Sequence, residues 1–543
     1  MDFRRQLSTV AALMLLACLV QAWMIWRAVV PAQDCVRYLV VAQSFARDGA
    51  TATLRSQGEQ PLFPALVWLT HGILSVAGWI DTANWAVALQ VAAAIPLVLS
   101  VAPVYLLFQR LHGDRAALAA TVLYCLLGGV SRLGADGLSD STHLVFFMVA
   151  LWCVARYFSP PEFGSPGWLL ASGLSTGLAL TARCESLVLP VALLATFGWL
   201  ACSGPKRPTW RQTTIGAASL SLGLALVLLP FLAWCDALSP RAALARLMGR
   251  AGAGEAAPLN DFRPGSRADV TEPRWELPGM GRLVFGKKDT STSSRFHGYL
   301  SAAAKLLHEL AQTLHYWLGA LALVGLAARW RQLATPLDRF MQCLCAMLIA
   351  AGIMVAARAG YLSTRHVLLV VVLALGWAGY GSLTLADWLI ARGRWPEVEW
   401  RRRLANAALA LTVIVACGAD CRAALHASRE AHRQAARWLS EHANPTAAVL
   451  DSRGWTALYT GRKTYRYEAA QAAFTDSALR YVVVEQAELA AGSRRSETMR
   501  LLMNHAGEPV ARFTAAGSDK HNVVVYRWQP EHFQQLGVQS YAR

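Results

Sequence analysis

About eleven times along this chain, a stretch close to twenty residues long passes with hardly a charge. That is the length a helix needs to cross the hydrocarbon of a bilayer, where only helices or closed barrels satisfy every backbone group. The runs fall at 7–26, 84–108, 116–133, 141–158, 167–182, 185–202, 213–234, 314–329, 340–357, 365–386 and 404–420. The repetition predicts an all-α polytopic membrane bundle. Only 16% of the 543 residues are charged, against roughly 25% in soluble domains. The twenty Trp suit rings resting at membrane interfaces. No small-x-small cleavage site follows the first run before Trp23, so it reads as a retained helix rather than a cleaved signal.

The net charge of +17 invites a nucleic-acid reading, but the distribution of the cations excludes it. Most Lys and Arg sit in short loops between apolar runs, as the positive-inside bias requires. Arg4 and Arg5 place the N-terminus in the cytoplasm. Alternating crossings then put Arg110 to Arg115, Arg156, Lys206 to Arg211, Arg329 to Arg339 and Arg392 to Arg403 on the same side. The opposite face receives 27–83, 134–140, the 183–185 corner, 235–313, 358–364 and everything after 420. This is the topology of a multi-pass inner-membrane protein with its C-terminus outside. The eleven Cys form no CxxC pair and no metal-like spacing. Ionisable residues are scarce within the runs, His143 being an exception, and this argues against an ion-coupled transporter.

Residues 1–420 therefore read as the membrane domain, with outer loops 27–83 and 235–313. The tail 421–543 changes character. Valine-rich strands at Ala447–Asp451, Tyr481–Glu485, Val510–Phe513 and Asn522–Trp528 alternate with helices at Ser428–His442, Trp455–Gly461 and Arg494–His505. That pattern predicts a small extracytoplasmic α/β domain.

The polar chemistry gathers at the outer boundary. Asp34 follows the first run and is either a general base at a poorly solvated site or a helix N-cap paired with Arg37. Glu59 precedes Gln60 and Pro61. It is either a second carboxylate facing Asp34, through a divalent metal shared with Asp140, or the acid that favours a helix start. Asp136 and Asp140 stand four apart in the next outer loop, where either they hold a metal or position a donor, or Ser139 or Asp140 caps a helix. Arg183 and Glu185 share a tight corner, and Tyr361, Arg365 and His366 mark another helix end. Arginine at this depth suits phosphate through its planar fork; the bland alternative is a guanidinium snorkelling to the interface. A lipid-phosphate substrate needs just such arginines, together with an acid for the acceptor and an apolar groove for the chain.

At these residues the chain resembles the GT-C glycosyltransferases, in particular the protein O-mannosyltransferase and aminoarabinose transferase group (glycosyltransferase family 39-like). Asp34 fits that group's acid after the first span. Glu59-Gln60-Pro61-Leu62 is similar to its Lys- or His-Pro-Pro-Leu motif, with Gln60 replacing the base and one Pro missing. The stretch from Gly177 to Glu185 resembles its Gly-Leu-Ala…Thr-Arg-Pro-Glu corner, and Tyr361 to His366 its Tyr…Arg-His signature. The resemblance implies inverting transfer from a polyprenyl-phosphate sugar to a lipid, glycan or protein acceptor. Asp34 and Glu59 would be catalytic, and Arg37, Arg183, Arg365 and His366 would hold the phosphate. Gln60, Asp136, Asp140, Glu185 and Tyr361 would complete the site. Two other expectations stand beside it: a lipid-carrier translocase, or an inactive relative that senses the envelope.

Overall fold

The protein is described here from a computed structural model. It describes residues 3–56, 58–81, 84–159, 163–203, 209–247, 274–277, 281–282, 298–359, 361–392, 418, 422, 424–515, 521–536 and 539–541. The eleventh expected run, 404–420, and most of loop 235–313 lie outside these residues.

Among the described residues sixteen helices build the membrane part: α1 (Phe3–Arg27), α2 (Cys35–Asp48), α3 (Ala50–Ser56), α4 (Leu62–Val76), α5 (Ala86–His112), α6 (Asp114–Leu126), α7 (Gly128–Ala135), α8 (Asp140–Tyr157), α9 (Gly167–Ala182), α10 (Val188–Ser203), α11 (Trp210–Trp234), α12 (Pro240–Leu247), α13 (Tyr299–Thr313), α14 (Trp317–Arg329), α15 (Pro336–Ala359) and α16 (Thr364–Arg392). Six spans among the described residues are long and apolar enough to cross a membrane unaided, and up to eight if two bent helix pairs each count as one span. The chain is thus a multi-pass membrane protein. The run expected at 116–133 is broken: α6 and α7 meet at 51°, where Leu127 leaves helical geometry just before Gly128 and Gly129. The run at 314–329 belongs to a sharper break, α13 and α14 meeting at 101°. There His315 and Tyr316 take the left-handed backbone region.

Without a hydrophobic force between helices in lipid, close approach of backbones holds a bundle together. Gly173 of α9 and Gly223 of α11 supply it: a Cβ on either would lie 2.2 Å from a carbonyl oxygen of the other helix. Gly325 of α14 and Gly381 of α16 repeat the arrangement. Large side chains such as Tyr105, Phe108, Tyr124, Phe147 and Phe340 fill the bundle interior. Leucines 15, 19, 99, 222, 226 and 229 stay exposed on its outside, where lipid would meet them.

The tail folds as expected. Helix α17 (Glu430–His442) and α18 (Trp455–Thr460) accompany strands β3 (Ala448–Asp451), β4 (Thr464–Tyr465) and β5 (Leu479–Glu485); α19 (Arg494–Ala506) precedes β6 (Gly507–Phe513) and β7 (Val523–Trp528). The sheet order is β4-β3-β5-β7-β6. Strand β3 runs parallel to β4 and β5, while β7 is antiparallel to β5 and β6. A second, small sheet joins β1 (Arg274–Leu277) and β2 (Gly281–Arg282) to β8 (Gln539–Tyr541). It ties Arg274–Leu277 and Gly281–Arg282 to Gln539–Tyr541.

The tail domain sits on the first loop. Trp455 donates its indole N–H to the Pro31 carbonyl at 3.1 Å, and Val29 N–H reaches the Leu425 carbonyl. Arg453 donates to Gln33 Oε1 at 3.2 Å. Arg453 is itself gripped by Glu485, which is 1% exposed and also accepts from Arg429 and His432. A buried carboxylate persists only when charges and hydrogen bonds surround it, and Glu485 has three donors.

Candidate active site

Five charged side chains from four helices and one tight corner form an alternating chain at the end of the bundle beneath the tail domain. Asp34, at the start of α2, accepts from Arg365 Nη1 at 2.5 Å. Arg365, in the first turn of α16, also donates its Nε and Nη2 to Asp140 Oδ2 at 2.8 and 2.7 Å. Asp140 Oδ1 accepts from Arg183 Nη1 at 2.7 Å. Arg183 turns its other edge to Glu185, with Nη2 to Oε1 at 2.5 Å. The order is Asp34–Arg365–Asp140–Arg183–Glu185, spanning 331 positions of sequence between the first pair.

Local structure puts each member there. Arg183 leaves helix α9 in an extended conformation, and the single 3₁₀ turn Cys184–Leu187 presents Glu185 back to it. His143 Nε2 bonds Ser186 Oγ at 2.8 Å within the bundle and pins that corner to α8. Asp140 opens α8 with its side chain 2% exposed. An acid at a helix N-terminus is favoured by the dipole; here two guanidiniums neutralise it as well. Tyr38 of α2 bonds Ser139 at 2.7 Å, so the helix carrying Asp34 is fastened beside Asp140.

Asp34 occupies the N-cap position of α2, but its side chain makes no cap bond. Its ion-pair partner is Arg365 and not Arg37. Its carboxylate is 56% exposed, and among the described residues Oδ1 has no donor. Beside it lies a cavity of about 230 Å³ walled by Ala32, Gln33, Asp34, Gly129, Arg132, Leu133, Asp136, Leu138, Thr364 and Arg365. One carboxylate oxygen is thus oriented by a guanidinium while the other faces space.

The remaining expected residues divide. Asp136 lines the cavity and pairs with His426 of the tail domain at 2.9 Å. Its backbone carbonyl accepts from Ala32 N–H. Glu59 is not a wall of the cavity, yet it stands within electrostatic reach of Arg37 and Asp34. Burial raises its carboxyl above the ordinary range, with Arg37 acting against the shift and Asp34 adding to it. Gln60 is turned away, its amide reaching the Leu247 carbonyl of α12 at 3.3 Å. His366 accepts from Ser363 at the head of its own helix, and Tyr361 is 63% exposed with its ring 6.0 Å from His366.

Glu59 and Asp140 do not fit the divalent metal expected between them. Both oxygens of Asp140 are occupied by guanidiniums. Among the described residues no group of three or more His, Cys, Asp or Glu side chains is arranged to hold a metal.

Sequence reasoning missed four contributors: Arg132, Thr364, His426 and the Arg453–Gln33 link. Arg132 was counted in a membrane run, but the broken helix places it at the cavity instead. The Gly128-Gly129 pair beside it was the available signal. His426 and Arg453 carried none, because their partners are hundreds of residues away.

A family model for dolichyl-phosphate-mannose-protein mannosyltransferase matches residues 59–234. No curated protein matches the chain significantly. Among solved structures, ArnT from Cupriavidus metallidurans bound to undecaprenyl phosphate superposes with a TM-score of 0.60 at 12% identity, covering 95% of this chain and 97% of that one. The oligosaccharyltransferase AglB from Archaeoglobus fulgidus, in complex with an inhibitory peptide and a dolichol-phosphate, gives 0.55 at 14% identity over 95% of this chain and 75% of that one. An oligosaccharyltransferase from the same archaeon in complex with Zn and sulfate gives 0.56 at 13%, over 96% and 73%. Helix order, the α/β tail domain and these superpositions agree: the chain is a multi-pass membrane protein with the fold of the GT-C glycosyltransferases.

Proposed function

We propose that this chain transfers a sugar from a polyprenyl-phosphate carrier to an acceptor hydroxyl or amine on the outer face of the inner membrane. In this reading its N-terminus is cytoplasmic and its C-terminus extracytoplasmic. The observation that carries the reading is Asp34, a carboxylate oriented through Oδ2 by Arg365 and open through Oδ1 beside the cavity.

The chemistry follows from that geometry. An acceptor in the cavity gives its proton to Asp34 Oδ1 as its oxygen or nitrogen bonds the anomeric carbon. The carbon–oxygen bond to phosphate breaks, and its electron pair leaves with the lipid phosphate. Attack from the side opposite the phosphate inverts the anomeric centre. Arg365 holds Asp34 aimed before the reaction. It also links that base to Asp140 and Arg183, so the site's shape is set before any ligand enters. A positioned general base contributes typically about 10²–10⁴-fold. The tail domain packs against the first loop beside the cavity, at Pro31 and Gln33, through Trp455 and Arg453.

The carrier assignment draws support from the lipid phosphates named in the ArnT and AglB structures. It is tested by supplying purified full-length protein with undecaprenyl-phosphate sugars and measuring released undecaprenyl phosphate by mass spectrometry. Release that depends on added acceptor supports the reading. Tight binding of lipid phosphate with no release from any sugar would replace it with the inactive, sensing relative.

A further inference from the structure

Arg183 and Arg365, the two arginines the sequence offers for phosphate, are both committed to carboxylates. Counting along Asp34–Arg365–Asp140–Arg183–Glu185 gives three acids and two bases, so the chain has no cation to spare for an anionic ligand. One guanidinium at the cavity is different. Arg132 lines it together with Asp34 and is partly buried. Among the described residues it has no hydrogen-bond or ion-pair partner. Its neighbour Asp136 is already taken by His426.

The backbone around Arg132 is unusually well fixed. Buried Gln21 of α1 donates to the Ser131 carbonyl at 2.8 Å, and buried Gln90 of α5 donates to the Ala135 carbonyl at 2.8 Å. Two amides held inside the bundle thus clamp the short helix on both sides of Arg132. Gly134 lets α1 approach: a Cβ there would fall 2.0 Å from Gln21 Oε1. Burying polar side chains costs free energy unless they are bonded. A structure that places two of them on one turn holds that turn in a set position. The side chain which that turn presents to the cavity is an unpaired guanidinium.

We infer that Arg132 is the residue that binds the phosphate of the lipid-linked donor, an assignment resting on the transfer reaction proposed above. A guanidinium meets two phosphate oxygens in parallel. Before transfer it faces the single charge of a phosphodiester. As the bond from phosphate oxygen to anomeric carbon breaks, the departing lipid phosphate gains a second negative charge, which Arg132 partly neutralises. The acceptor proton goes to Asp34, which also lines the cavity. Leaving group and base are thereby served by different residues, and Arg365 stays bound to Asp34 throughout.

The test uses purified full-length protein and two probes, undecaprenyl phosphate and neutral undecaprenol. Arg132→Gln is expected to weaken undecaprenyl phosphate binding at least about tenfold, leaving undecaprenol affinity unchanged. Arg132→Lys, which keeps the charge but loses the fork, should fall between, at least about threefold weaker than wild type. Wild-type affinity for both probes in Arg132→Gln would overturn the inference. Should that variant fail to fold, Arg132→Lys decides in the same way, its wild-type affinity for both probes being the overturning result. Wild-type protein that binds the two probes equally would instead defeat the donor assignment itself, an outcome separable from the first.

Discussion

Replacing Asp140 with Asn asks whether the alternating charge chain holds the site together. Asp140 is 2% exposed and receives three donors at 2.7 to 2.8 Å, two from Arg365 and one from Arg183. Charge-assisted bonds contribute roughly 1.5–3 kcal/mol each. Their sum overstates the loss, because asparagine keeps one acceptor oxygen and Arg183 keeps Glu185. Arg365 keeps Asp34. What the variant cannot restore is the negative charge between two largely buried guanidiniums. Breaking a buried pair from one side costs about 3–5 kcal/mol, and that is the expected destabilisation. Thermal unfolding of the purified protein in detergent measures it, and the double variant with Arg183→Gln sharpens it. Removing Arg183 as well eliminates one of the two guanidiniums that have lost the Asp140 charge, so the two losses should fall short of additive by at least about 1 kcal/mol. Additive losses, or an Asp140→Asn protein as stable as wild type, would show that the network in the structure carries no energy.

Two further perturbations follow the same reasoning. Glu485→Gln should cost about 3–5 kcal/mol and expose the tail domain to trypsin, because Arg429, His432 and Arg453 lose their shared anion and Arg453 loosens its hold on Gln33. Burial raises the Glu485 carboxyl, but His432 and Arg453 outweigh it and hold the group well below its usual range. Its contribution is therefore full above about pH 4.3 and falls away as pH drops further, so the stability gap between wild type and Glu485→Gln should narrow below that point and stay constant from pH 6 to 7.5. Gly134→Ala drives a methyl into Gln21 Oε1, 2.0 Å away, with the Ala94 backbone 3.1 Å away on another side. A loss of about 1–3 kcal/mol is expected in thermal unfolding, and wild-type stability would mean that α1 and α7 pack less closely than described.

Much of the fold is legible because its signals are local. Apolar runs mark the membrane helices, and in the tail the valine-rich stretches became β3, β5, β6 and β7 with ends shifted by a few residues. The short edge strand Thr464–Tyr465 was missed, since two residues carry no period. The bend at His315 and Tyr316 was missed because neither is Gly or Asn, the residues that advertise left-handed backbone. Within the site, Asp34, Asp140, Arg183, Glu185 and Arg365 could each be noticed as charge at the outer boundary. Their pairing could not. Asp34 chooses Arg365 over Arg37, three residues away, because helix packing sets that distance and sequence proximity does not. Gln60 drew notice as an altered motif residue, yet its amide is spent on the α12 backbone. Arg132 drew none, being one cation inside an apolar run.

The base is the claim on which the account stands, and one rate decides it. Release of undecaprenyl phosphate from a supplied undecaprenyl-phosphate sugar should be measured for wild type and Asp34→Asn, with binding of undecaprenyl phosphate as a control on folding. Asparagine keeps the side chain's shape but accepts no proton, so turnover should fall by about 10²–10⁴ while the lipid phosphate still binds. An Asp34→Asn enzyme that binds the carrier and transfers sugar at the wild-type rate would contradict the account.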